Sequence, residues 1–190
     1  MVARSRISTM SDARFKYSRP ARVLHWTMAA LVLATIPVGA LMAREGIAKT
    51  LQDVLYLFHK NVGVLLLILV FIRVVYRWRH PPARLPAHVP GWQRRAAAAS
   101  HVALYTLLFF MPIAGYVRVK AGGFPIEILD VIGLPSLVPR SESLAETAMM
   151  LHFYGSLVIV ALIAVHVAAA AQHALFRRDG VFLRMWPPFS

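Results

Sequence analysis

His152 and His166 sit fourteen residues apart inside one long apolar run. At about 100° per residue, fourteen steps end roughly 40° short of four full turns, so both imidazoles leave the same helix face. At about 1.5 Å of rise per residue they lie roughly 21 Å apart along the axis. Ligating or ionisable groups inside an apolar span are costly, and such residues mark functional sites. Imidazole binds metals and carries protons near neutral pH. Two imidazoles on one face, one near each end of a membrane crossing, are placed to hold two haems stacked across the bilayer. The chain contains no cysteine. That excludes disulfides, iron–sulfur clusters, zinc–thiolate sites and the C-x-x-C-H attachment of c-type haem. Any haem here is held without a covalent link, by histidine or methionine.

The elements that must position these rings are membrane helices. Of the 190 residues, 58% are hydrophobic, with a mean hydropathy of +0.60. Soluble domains usually stay near 45–50% apolar. The excess is concentrated in four runs, at about 24–42, 54–76, 96–117 and 148–176. Each is long enough to cross a bilayer, and none shows period-two alternation, so four helices follow. The expected fold is an all-α integral membrane four-helix bundle. A basic tail (1–22), a membrane domain (23–177) and a short C-terminal tail (178–190) divide the chain. Val38 and Ala40 give only a weak cleavage signature, and the first run exceeds the usual 7–15 residues of a signal peptide. It is therefore expected to stay as a helix.

The formal net charge is +13. No basic-aromatic module remains once the spans are removed, so nucleic acid is not the expected partner. The basic residues instead flank the spans. Arg4, Arg6, Arg14, Lys16, Arg19 and Arg22 precede the first; Arg77, Arg79, Arg84, Arg94 and Arg95 follow the second; Arg177, Arg178 and Arg184 follow the fourth. The opposite loops hold only Arg44, Lys49, Arg118, Lys120 and Arg140. The positive-inside rule then puts both termini in the cytoplasm.

With that orientation each histidine acquires a depth. His25 and His101 start spans one and three on the cytoplasmic side; His59 starts span two on the outer side. Two ligands of one haem must share a depth on facing helices. That pairs His25 with His166, and His59 with His152. His101 competes for the place of His25, or lines a quinone pocket. His80 and His88 belong to a proline-rich loop, and His173 to the interfacial end of span four. Gly63 and Gly155 fall on the ligand faces, where they leave room for a flat macrocycle or serve helix packing. Arg73 lies fourteen residues after His59, at the cytoplasmic haem's depth, and needs a counter-charge; a haem propionate would accept a bidentate guanidinium contact. Trp26, Tyr76, Trp78 and Trp92 sit near membrane edges as aromatic anchors. Pro112 and Gly115 are expected to kink or thin span three.

The stretches KYSRPARVLHW, LFHKNVGVLLLILVFIRVVYR, SHVALYTLLFFMPIAGY and LHFYGSLVIVALIAVHVAAAAQHALF, with a closing LRMWP, resemble the bacterial cytochrome b561 family. The resemblance covers most of residues 16–187. It implies a diheme b-type cytochrome of the bacterial inner membrane, multi-pass, with ligands at His25, His59, His152 and His166. It also implies quinone as electron partner, and superoxide oxidation coupled to quinone reduction in some members. Lys60, Arg118 and Lys120 would then be candidates for steering an anion to the outer mouth, although Glu127, Asp130, Glu142 and Glu146 keep the loop between spans three and four from being strongly positive. Related b-type subunits anchor hydrogenases and dehydrogenases, so a haem-bearing anchor of a larger complex is the alternative. A haem-free transporter is disfavoured by the lack of an inverted repeat.

Overall fold

A computed structural model describes residues 16–188 apart from 83, 84 and 87. Of the basic residues counted above, Arg4, Arg6, Arg14 and Arg84 lie outside the described residues. Four long helices carry the fold: α1 (Arg19–Met42), α2 (Lys49–Arg79), α3 (Gly91–Ala121) and α5 (Glu142–Ala171). A five-residue helix, α4 (Glu127–Val131), lies between α3 and α5. The described residues form no strand. All four long helices have the length and apolar composition to cross a membrane; α5 reaches 36 residues with the π-helical turn Gln172–Arg177 that continues it.

Local chemistry explains where these helices begin and end. Pro20 occupies the first turn of α1, where a backbone N–H would have no intrahelical acceptor. The Ser141 hydroxyl accepts the Leu144 N–H at 3.3 Å and caps α5. Arg77 and Arg79 end α2, and Arg118 and Lys120 end α3, where positive charge complements the helix dipole. α2 and α3 each start five residues before the apolar run does. Hydropathy marks only the hydrocarbon crossing, whereas the helix continues into the headgroup zone on good helix formers and the Lys49–Asp53 ion pair.

α1 packs along α2, α3 packs along α5, and α2 joins the two pairs through α3. α5 makes no comparably close packing with α1 or α2 among the described residues. The apolar core of Met28, Leu66 and Val70, with Leu31, Val62 and Phe109 around it, sits between α1, α2 and α3. Leu66 lies midway between His59 and Arg73 along α2, so the core fills the middle of the membrane between the two histidine levels.

Both chain ends meet at one end of the bundle, here the termini end. The Tyr17 N–H donates to the Arg184 carbonyl at 3.0 Å, and the Trp26 indole donates to the Met185 carbonyl at 2.8 Å. Trp26 also packs edge-on against Trp186. Trp26 thus pins the returning C-terminus rather than anchoring to lipid, because its indole N–H finds a carbonyl inside the protein. Trp78 and Trp92 remain 80% and 63% exposed, as membrane-edge anchors would be.

His173 holds Asp179 at 2.7 Å, and Asp179 accepts the Val181 N–H at 3.2 Å. His173 is therefore a structural clasp at the interfacial end of the last span. Burial works to raise the Asp179 pKa, but the His173 and Val181 hydrogen bonds outweigh it and hold the carboxyl below its usual range. A depressed carboxylate stabilises the fold fully above its unfolded value of about 3.9 and loses that contribution as pH falls through the lower folded value. Acidification below about pH 4 is expected to speed hydrogen exchange at Val181 and Arg184. Asp179→Asn should exchange fast already at neutral pH and show no acid step.

Candidate functional site

At the far end of the bundle, α2 brings His59 to face His152 of α5. Their ring centroids are 6.0 Å apart and their planes cross at 70°. Each ring is held by a backbone carbonyl of a third helix. His59 Nδ1 lies 3.2 Å from the Thr35 carbonyl of α1, and His152 Nδ1 lies 3.0 Å from the Met111 carbonyl of α3. A carbonyl can only accept, so each Nδ1 carries the proton and each Nε2 presents its lone pair. This tautomer lock is the usual support of a metal-ligating histidine.

The two acceptors share a device. Gly39 follows Thr35 by four residues, and Gly115 follows Met111 by four. A Cβ on Gly39 would stand 2.8 Å from His59 Cε1, and one on Gly115 would stand 3.3 Å from His152 Cε1. Only a bare glycine backbone lets the imidazole lie this close over the helix. Sequence reasoning missed Gly39 and read Gly115 only as a bend or thinning; the signal was a glycine shortly after a proline in both helices (Pro37 and Pro112). Of the glycines singled out by spacing, Gly63 has no atom within 4 Å of its would-be Cβ, which leaves open space on the His59 face. Gly155 instead meets Met111 Sδ at 2.6 Å and serves the packing of α5 on α3.

At the termini end, His166 of α5 faces two rings. His25 of α1 lies at 6.3 Å between centroids with planes at 75°, and His101 of α3 lies at 5.6 Å and 73°. All three rings belong to one cluster. Metal–imidazole bonds of about 2.0–2.1 Å put two nitrogens bound across one metal about 4 Å apart, and the ring centres roughly 6 Å apart. The 6.0 Å and 6.3 Å pairs meet that spacing. α5 packs less closely on α1 and α2 than on α3 among the described residues, and with the open face at Gly63 this leaves room for a flat macrocycle.

Arg73 reaches the termini-end cluster, close enough to act electrostatically on His25, His101 and His166. Its Nε donates to the Tyr105 hydroxyl at 2.9 Å and its guanidinium to the Ala21 carbonyl at 3.2 Å. Both partners are neutral. At the far end the cations differ from expectation. Lys60 pairs with Glu127 at 2.7 Å and Lys120 with Asp130 at 2.5 Å. Neither is a free steering charge, because the loop's acidic residues fold back onto them. At Glu127 burial works to raise the carboxyl pKa, but the hydrogen bonds from Lys60 and Asn61 outweigh it; at Asp130 the Lys120 hydrogen bond holds the carboxyl below its usual range. The Arg118 guanidinium donates to the Met149 sulfur at 3.6 Å and lies near His152. His80 stacks on Tyr76, and His88 is exposed in its loop, both away from the two clusters.

The family described as prokaryotic cytochrome b561 matches residues 16–188. The chain belongs to that family. Two relatives from Escherichia coli (strain K12) are similar along nearly their whole lengths. Cytochrome b561 homolog 2 is 31% identical over 171 residues, covering 90% of each chain. Cytochrome b561 homolog 1 is 27% identical over 174 residues, covering 90% of this chain and 97% of its own. Membership in the cytochrome b561 family makes this a multi-pass protein of the bacterial inner membrane that carries b-type haem and transfers electrons. The matched segment contains all the histidines of both clusters.

Proposed function

We propose that this b561-family chain binds two b-type haems, one per histidine level, and moves electrons across the membrane between an outer donor and a quinone. The observation that carries this is the recurrence of one geometry at both levels of α5: facing imidazoles 6.0 Å and 6.3 Å apart. His59 and His152 hold the far-end haem, with Nδ1 donated to carbonyls and Nε2 free for iron. His25 and His166 hold the termini-end haem, and Arg73 turns its remaining donors to a propionate. When bound, haem supplies one-electron chemistry, and imidazoles on both faces favour electron transfer over oxygen binding. The positive-inside distribution puts the termini end in the cytoplasm. Met28, Leu66 and Val70 exclude water between the levels.

Superoxide is the outer donor that this reading favours. Two superoxide anions give up one electron each and leave as dioxygen; one quinone takes both electrons and two protons and leaves as quinol. With Lys60 and Lys120 paired, Arg118 beside His152 is the cation that meets the incoming anion. His101, next to His166, faces the quinone side. The test is purified protein alone in detergent or nanodiscs. Two haems per chain, low-spin spectra and superoxide-driven quinone reduction are expected. One haem per chain would refute the two-level reading. Two haems with quinone reduction only after a second protein is added would make the chain an anchor subunit.

A further inference from the structure

The connection between α3 and α5 is usually the part of a bundle that stands in water, yet here its most exposed large side chains are apolar. Val131 is 87% exposed, Leu137 73%, Ile132 69% and Phe124 61%. Its polar side is fully engaged by the bundle. Glu127 accepts from both Lys60 (2.7 Å) and Asn61 (2.8 Å) of α2. The Asn61 side chain accepts the Ile128 N–H at 2.8 Å, and the Tyr116 hydroxyl accepts the Leu137 N–H at 2.9 Å. Ile126 is 2% exposed and plugs the segment into the bundle.

These bonds also set its depth. Asn61 follows His59 by two residues, about 3 Å nearer the membrane centre along α2. A segment bonded to Asn61 and Lys60 therefore reaches the level of the far-end histidines, inside the ~30 Å hydrocarbon layer. Backbone is tolerated there only when its polar groups are satisfied by protein. Much of its backbone is so satisfied: α3 and α4 each close with a left-handed glycine, Gly123 at φ +81° and Gly133 at φ +70°. The following N–H groups of Phe124 and Leu134 turn back to the Val119 and Leu129 carbonyls at 2.9 Å and 3.0 Å.

We infer that residues 124–137 form a membrane-inserted cap, whose face of Phe124, Val131, Ile132 and Leu137 lies in acyl-chain lipid of the leaflet at the His59–His152 end. Leu57, one turn before Asn61 on α2 and bonded to it through its carbonyl, is 50% exposed on the same lipid-facing side. Its large apolar side chains face outward while Glu127 and Asp130 are ion-paired to Lys60 and Lys120 of the bundle, an arrangement of the cap that fits lipid.

The absence of cysteine allows a direct test. Val131→Cys and Leu137→Cys are spin-labelled in the holoprotein in nanodiscs, with Ile68→Cys as the lipid-facing reference and Asp53→Cys as the aqueous one. Collision with dissolved oxygen and with a water-soluble nickel complex is measured at each. Both cap positions should match Ile68: high oxygen, low nickel. Adding Glu127→Gln should shift position 131 toward the Asp53 values. Nickel accessibility equal to that of Asp53 would overturn the inference and make this an aqueous docking face. Exclusion of both probes would overturn it in favour of a second copy of the chain.

Discussion

Replacing His152 by Ala should lower the haem content from two per chain to one, with the low-spin signal halved and a single wave left in a redox titration. His59→Ala should give the same product, because both rings serve the same iron in the proposed assignment. The loss arises at the ligand and not through unfolding. The Met111 carbonyl that His152 engages is already inside helix α3, and the fold's core lies between α1, α2 and α3. His166→Ala should remove the other haem and keep the first. The His152→Ala/His166→Ala double variant should have none, since α5 supplies a ligand at each level. The termini end carries the sharper discrimination. His25 and His101 both flank His166, at 6.3 Å and 5.6 Å. His25→Ala should lose the termini-end haem, whereas His101→Ala should keep it and impair quinone reduction. Haem per chain by alkaline pyridine spectra, with size-exclusion profiles as the fold control, reads each outcome. Loss of that haem in His101→Ala but not in His25→Ala would reverse the assignment.

What could be read from the chain was whatever repeats with the helical period. Fourteen-residue spacing placed His152 over His166 and His59 over Arg73, and equal depth paired rings on different helices. Those inferences need only rise, periodicity and the hydrocarbon thickness. Contacts that depend on how one helix sits against another were not readable. Gly39 and Gly115 matter because α1 lies against His59 and α3 against His152; neither sequence neighbourhood mentions the ring it cradles. Gly63 and Gly155 had equal standing by spacing, yet only the first opens onto a ligand face, because α5 packs on α3 and stands off α2. The sequence left open whether Lys60 and Lys120 are free to steer an anion, because a five-residue helix is too short to show which acid meets which lysine. Once α4 forms, Glu127 and Asp130 fall onto them. Trp26 was misplaced for the same reason: the returning Met185 is 159 residues away in sequence.

The glycines separate a packing role from a cofactor role, and three single substitutions rank them. Gly39→Ala puts a methyl group 2.8 Å from His59 Cε1, closer than carbon atoms tolerate. The ring must move, and moving it stretches the bond to Thr35 that orients Nε2. Overpacking of this kind costs about 1–3 kcal/mol. Here the cost falls on ligand position, so the far-end haem should be lost or loosely held while the termini-end haem stays. Gly115→Ala is milder, at 3.3 Å, and the His152 ring can yield by a few tenths of an ångström. That variant should keep both haems, with a shifted potential for the far-end one alone. Gly63→Leu differs in kind. No protein atom lies within 4 Å of the added Cβ, so the apoprotein should fold and migrate as wild type. The side chain would nevertheless project from the His59 face into the slot between α2 and α5, and the far-end haem should be excluded. If Gly63→Leu binds two haems with unchanged potentials, the open face beside His59 does not receive the macrocycle, and the haem enters the far-end site from another side.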